Sequence, residues 1–276
     1  MIQEFLEYQC NVKGLAVQTL QGYEKELRQF IIWARPQGLT WSTITKQDID
    51  RWTADQTKRG LKPRTIRRRV EVLRLLFTWA EHEGILTSNP ARFCQTPKAE
   101  KTLPQTADIE KVFEYIDSTP STGQGVIVRT MAAIFIETGI RIGELQELRL
   151  SDIDIDARTM QIHGKGAKER IVFFGKRTEK LLRRWYIGRG EQLFPGEQRY
   201  YRQAMAEEMS SHCGRMHPHL LRHTFATMQL NSGMPLKEVG HLLGHEHVTT
   251  TEIYAHVATA HAHELYNKVN QLTNEH

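Results

Sequence analysis

Apolar positions recur at helical spacing through Leu20, Tyr23, Leu27, Phe30 and Ile31, and again through Ile66, Val70, Leu73 and Phe77. Each run predicts an amphipathic helix. Thr45, followed three residues later by Asp48, has the form of an N-terminal capping box; Gly60 and Gly84 suit helix stops and Pro63 suits a first helical turn. Residues 1–90 therefore read as a small all-helical domain. Periodicity fades between Asn89-Pro90 and Leu103-Pro104, which places a linker at 91–103. Beyond it, helical spacing returns over 109–116 and 126–136, with Gly139 as a stop and a short helix over 141–148. The pattern then changes to Met160 and Ile162, a Gly-Lys-Gly turn, and the run Ile171 to Phe174, which predicts a β-hairpin. Further helices are predicted over 178–186, 200–209, 218–231, 235–243 and 250–257. A second domain at 104–260 thus emerges as mainly α with a small β-hairpin or sheet. Leu265, Val269 and Leu272 mark a tail helix within 261–276, too short to be stable without packing on something.

Charge adds a direction to this plan. The chain of 276 residues carries 37 Lys and Arg against 32 Asp and Glu, a net charge of +5. Residues 1–97 hold 15 basic and 10 acidic residues, so the whole excess lies in the first domain. Lys58, Arg59, Lys62, Arg64, Arg67, Arg68, Arg69 and Arg74 crowd one stretch with a single acid, Glu71. Lys62, Arg64, Arg67, Arg68 and Arg74 are the candidate DNA-binding residues, because such a cluster attracts a polyanion through counterion release. A solvated helix face is the alternative reading of the same run. The three cysteines are scattered, no segment has the length and apolarity of a membrane span, and the N-terminus lacks a secretory signal. A cytoplasmic, nucleoid-associated protein is expected, without membrane contact.

Twelve of the 13 histidines follow residue 98, and eight fall between 212 and 256. The i,i+4 pairs His219/His223 and His241/His245 could share a helix face as metal ligands, but the string from His241 to His245 has no Glu beside its first histidine to serve a zinc hydrolase. No metal and no other cofactor is expected. A different grouping explains more residues. Arg141 and Arg222 can clamp phosphodiester oxygens, and Lys165 at its tight turn can protonate a leaving oxygen. His219 and His245 can move protons or bond a phosphate, and Tyr254 offers a phenol nucleophile. Each has an ordinary structural alternative, such as an Arg141–Glu144 surface pair or a core tyrosine.

In order along the chain, the strings Thr138-Gly139-Ile140-Arg141-Ile142-Gly143-Glu144-Leu145, His163-Gly164-Lys165-Gly166, His219-Leu220-Leu221-Arg222-His223, Leu243-Gly244-His245 and Thr251-Glu252-Ile253-Tyr254-Ala255-His256 resemble the tyrosine recombinase (phage integrase) family. The resemblance spans nearly the whole chain. It implies a helical core-binding domain joined to a mostly helical catalytic domain, together clamping duplex DNA. It makes Arg141 and Arg222 the phosphate clamp, Lys165 the acid for the 5′-hydroxyl, His219 the acid/base histidine, His245 a phosphate hydrogen-bonder and Tyr254 the nucleophile. Glu144 matches an acidic support position, and His223 and His256 match supporting positions. Lys168 and Arg170 rival Lys165 as the acid.

The implied activity is site-specific cleavage and rejoining of double-stranded DNA through a 3′-phosphotyrosine and a Holliday junction. Paired recombination sites would be held by a homotetramer assembled from dimers. Without an arm-binding domain, the chain resembles the simpler Xer-like members. The tail helix would pack on its own domain or, as the resemblance implies, dock on a neighbouring protomer. A type IB topoisomerase or telomere resolvase would use the same residues without exchange between sites, and a catalytically idle DNA-binding regulator would keep the fold alone.

Overall fold

The computed structural model describes residues 1–98, 105–119, 123–164, 169–185 and 190–244. The chain forms two compact units, Met1–Thr102 and Leu103–His276.

The first unit contains α1 (Ile2–Asn11), α2 (Val17–Ala34), α3 (Lys46–Lys58) and α4 (Pro63–His82). The expected capping box opens α3: Thr45 Oγ1 accepts from the Asp48 amide, and the Asp48 carboxylate accepts from the Thr45 amide at 2.8 Å. Leu27, Phe30, Ile49, Trp52, Val70, Leu73 and Phe77 fill the core, with Phe30 set edge-on to Trp52 at 4.9 Å between ring centres. The stripe read from Ile66, Val70, Leu73 and Phe77 is fully buried. Residues 91–94, which the fading periodicity assigns to a linker, instead fold onto this core. Ala91 and Cys94 are buried in it, and Asn89 bridges the turn through bonds to Thr78, the Arg74 carbonyl and the Ala91 amide. Two small residues bury there without a helical period to announce them.

The second unit is built around α6 (Gly123–Thr138), whose residues from Val128 to Ile136 are buried on every side. A helix buried all round belongs inside a domain. Against it pack α5 (Ile109–Asp117), α8 (Lys176–Trp185), α9 (Gln198–Cys213) and α10 (Pro218–Asn231). The remaining helices are α7 (Ile142–Glu147) and α11 (Leu236–Leu243). The sheet is antiparallel, ordered β1 (Ile153–Asp154), β2 (Thr159–His163), β3 (Glu169–Phe173), and β2 pairs with β3 from Thr159↔Phe173 to His163↔Glu169. The predicted hairpin is present, and β1 adds a third strand too short to show a period. The helix read at 250–257 and the tail at 261–276 lie outside the described residues. Among the described residues no helix is long and apolar enough to cross a membrane.

Candidate active site

Of the second unit's candidate residues, the described ones, Arg141, Glu144, His219 and Arg222, lie where α7, α10 and the end of α11 meet, with Arg170 of β3 beside them. Gly139 ends α6 with φ +65°, and a Cβ there would run into the Phe225 ring and Leu243. This left-handed turn suits glycine and lets the chain pass tightly beneath α10. Gly139 also turns its carbonyl toward Arg222 of α10, whose Nη1 donates to it at 2.6 Å while Nη2 donates to the Leu243 carbonyl at 2.7 Å. Arg222 is 3% exposed, a depth at which a guanidinium must be hydrogen-bonded to be tolerated.

Arg141 is the residue before α7 and keeps 44% of its side chain exposed. Its Nη1 donates to Glu144 Oε1 at 2.8 Å and its Nη2 to the Gly244 carbonyl at 3.0 Å. Glu144 is buried yet fully engaged. Oε2 accepts from the Arg141 amide at 2.8 Å and from Arg170 Nη2 at 2.7 Å, and Oε1 accepts from Arg170 Nη1 at 3.1 Å. Burial alone would raise its carboxyl, but the Arg170 bonds, the Arg141 amide and the two guanidinium charges prevail and hold it below the usual carboxylate range. Arg170 Nε donates to the Leu242 carbonyl at 2.8 Å.

Three arginines thus end on three successive carbonyls, Leu242, Leu243 and Gly244, at the C-terminal turn of α11. A helix leaves these last carbonyls without internal partners and carries partial negative charge there, so cations are favoured. Gly244 caps the helix at φ +63°, and a Cβ on it would press into the Arg170 guanidinium. His245 follows directly.

His219 precedes Arg222 by one helical turn on α10 and is exposed. Partial desolvation, with the Arg222, His217 and Arg141 charges, holds its pKa below the ordinary histidine value. Its ring meets that of His223 edge-on at 4.6 Å, and His223 is pushed down to about 4 by desolvation and by His219 and Arg222. His217, which the sequence reading passed over, caps α10: its Nδ1 accepts the Leu220 amide at 3.0 Å. A capping side chain immediately before a helix-favouring proline, Pro218, is the signal that marks it. Among the described residues no three His, Cys, Asp or Glu side chains gather as a metal site. Lys165, Lys168, His245, Tyr254 and His256 lie outside the described residues. Where β2 ends and β3 begins, His163 joins Glu169 at 3.0 Å, and it joins Asp152 at 3.4 Å.

The basic stretch of the first unit divides. Lys62 and Arg64 are exposed at the start of α4, and Arg67 and Arg68 keep 60% of their side chains exposed while pairing with Glu71 and Glu26. Arg69 is nearly buried against Glu26 and Gln56. Arg74 departs from the expected DNA-binding face: Nε and Nη2 donate to the Ala91 and Cys94 carbonyls at 3.2 and 3.0 Å, so it braces the segment after Pro90.

The Phage integrase family matches residues 101–261, and the family's N-terminal SAM-like domain matches residues 2–84. The chain belongs to the phage integrase family. It is 30% identical to the tyrosine recombinase XerC of Alcanivorax borkumensis over 96% of this chain and 92% of that one. It is 28% identical to XerC of Xylella fastidiosa strain M23, over 97% and 95%. Among solved structures it is similar to the Tn1549 transposon integrase in complex with transposon right-end DNA, with TM-score 0.75 and 19% identity over 98% of this chain and 99% of that one. The XerH recombinase bound to a palindromic difH substrate gives TM-score 0.74 and 21% identity, over 96% and 84%. These two likenesses are to the fold. The phage integrase fold accounts for the convergence at α11, because strings more than 100 residues apart in sequence meet there.

Proposed function

We propose that this phage integrase family member is a site-specific DNA recombinase that cleaves and rejoins duplex DNA through a phosphotyrosine formed on Tyr254. The observation that carries the reading is the meeting of Arg141 and Arg222 on adjacent carbonyls of the α11 end, with His219 one turn away. Backbone carbonyls hold both guanidinium groups in place and Arg141 keeps 44% of its side chain exposed, so a phosphodiester would meet a fixed pair of positive charges.

In the proposed step the Tyr254 phenol oxygen attacks the scissile phosphorus while His219, neutral near pH 7 because its pKa is lowered, accepts the phenolic proton. The bond from phosphorus to the 5′-oxygen breaks, and Lys165 protonates that oxygen. Arg141, Arg222 and His245 bond the nonbridging oxygens as negative charge builds on them. The DNA is left with a 3′-phosphotyrosine and a free 5′-hydroxyl. Attack by a 5′-hydroxyl from a partner site then expels Tyr254, so the number of phosphodiester bonds is conserved and no cofactor is consumed.

Four protomers assembled from two DNA-bound dimers hold two sites, exchange one pair of strands to a Holliday junction and then exchange the other pair. Exposed Lys62, Arg64, Arg67 and Arg68 bind backbone phosphates in this reading, and DNA as substrate implies a cytoplasmic, nucleoid-associated protein. A plasmid carrying two copies of the site that the protein covalently captures tests the proposal. Recombinant circles support it. Relaxed circles alone point to a topoisomerase, and unchanged plasmid with intact site-specific binding points to a regulator.

A further inference from the structure

On the second unit, α5, α6 and α8 enclose a cavity of about 510 Å³ whose lining includes none of the candidate active-site residues. Five cations line it, Arg129, Lys176, Arg177, Lys180 and Arg184, against one carboxylate, Asp117. That carboxylate is taken, since Arg177 Nε donates to it at 3.0 Å. Lys176, Lys180 and Arg184 are spaced by four on α8, so they rise from one helix face, where like charges destabilise the helix unless something neutralises them.

Arg129 decides what that something is. It comes from α6, is 6% exposed, and its Nε and Nη1 have no hydrogen-bond partner. Its guanidinium lies 5.1 Å from the centre of the Tyr115 ring, whose hydroxyl is also buried without a partner. Burial, then the nearby Glu208, pushes the Tyr115 phenol up to about 12, so Tyr115 supplies no negative charge. A buried guanidinium with two donors lacking acceptors is disfavoured until an acceptor reaches them. The helix end does not supply the site, because the amides of Gly175 and Thr178 at the start of α8 are directed at Glu137.

We propose that this cavity is a second phosphate-binding site, separate from strand cleavage, in which Arg129 binds the phosphate oxygens from below and Lys176, Lys180 and Arg184 close over them. Planar guanidinium geometry and a surplus of positive charge select a multiply charged oxyanion over a carboxylate. The phosphate can belong to a DNA backbone or to a free phosphorylated ligand, and the two sources separate experimentally.

Calorimetric titration of the full chain with inorganic pyrophosphate is the test, run in parallel on Arg141→Ala, which removes a cation from the cleavage site. Pyrophosphate binding that is retained in Arg141→Ala is expected, and in that background it should weaken at least about tenfold on Arg129→Met. The triple variant Lys176→Gln, Lys180→Gln, Arg184→Gln changes only side chains on the α8 face and should weaken it similarly, whether or not Arg129→Met folds. The absence of binding, binding lost only in Arg141→Ala, or equal affinity in the triple variant would overturn the proposal. If the triple variant also loses affinity for non-specific duplex DNA, the phosphate is a backbone phosphate; if DNA binding is unchanged while pyrophosphate binding falls, the site serves a free ligand.

Discussion

Arg170 on β3 grips both oxygens of Glu144 on α7, at 3.1 and 2.7 Å, while its Nε holds the Leu242 carbonyl at the end of α11. Glu144 in turn holds Arg141 by side chain and amide. Strand β3 is therefore tied, through one arginine, to both the exposed Arg141 and the end of α11. Arg170 is fully engaged in this structural role, which argues against it as the rival to Lys165 for protonating the leaving oxygen.

Arg170→Ala should therefore lower covalent DNA cleavage on the order of 10²-fold, the scale set by misplacing a reacting group by about 1 Å. Site-specific DNA affinity should change little. Because Arg170 and Glu144 act as one unit, Glu144→Gln combined with Arg170→Ala should cost far less than the two single effects added. Cleavage rates of the four proteins on one substrate measure this directly, and full additivity would mean that the two residues act independently.

Removal of the Arg222 guanidinium should cost about 10²-fold or more in cleavage, as for other transition-state charge stabilisers. Gly139→Ala reaches the same group indirectly. It imposes a Cβ on a left-handed backbone and drives it into Phe225 and Leu243, so the turn that presents the Gly139 carbonyl to Arg222 must shift. Lower thermal stability together with lost cleavage is expected, whereas a variant as stable and active as the original would show that the turn tolerates a side chain.

Much of this site was legible in the sequence, and the reasons differ residue by residue. The hairpin and α10 announced themselves because period 2 and period 3.6 register burial on one face, and α6 because an apolar run that long must be internal. Arg141 and Arg222 stood out within local strings. The bonds of Arg170 to Glu144 and Leu242, and of Arg74 to Ala91 and Cys94, escape a sequence reading for one physical reason: what a long cation bonds depends on groups brought near by distant chain, and no local pattern encodes those. Arg74 resembles its neighbours in the basic stretch until residues 89–94 fold back beneath it. The linker boundary failed with it, since Ala91 and Cys94 bury little surface and form no period.

That division gives a test on DNA. Neutralising Arg64, Arg67 and Arg68 together should flatten the logarithmic dependence of affinity on salt by roughly 0.9 for each backbone phosphate that is no longer neutralised. Arg74→Gln should leave that slope unchanged and instead lower the unfolding midpoint, because it strips donors from the Ala91 and Cys94 carbonyls. A slope reduced by Arg74→Gln, with stability intact, would return Arg74 to the DNA-binding face.

His223 adds a dependence of stability on pH. Its folded-state pKa, about 4, lies below the ordinary histidine value of 6.5, so between those values the unfolded chain binds the extra proton. Stability contributed by the neutral ring is complete above pH 6.5 and declines as pH falls toward 4. His219, also lowered, acts in the same direction. Denaturant unfolding of the protein at several pH values should show stability rising from about pH 4 to 6.5, with a shallower rise in His223→Gln. An identical rise in that variant would remove His223 from the account.

Recombination by this route requires a covalent bond between Tyr254 and DNA. Incubating the protein with a fragment library of the DNA surrounding its gene, denaturing it, and recovering protein-linked strands for sequencing measures that bond and identifies its site together. Wild-type protein should yield strands that end in a common sequence and remain attached through a 3′-phosphate in the presence of EDTA, and Tyr254→Phe should yield none while still binding the same sequence. Adducts formed equally by Tyr254→Phe, or formed by the wild type only when a divalent metal is supplied, would contradict this route.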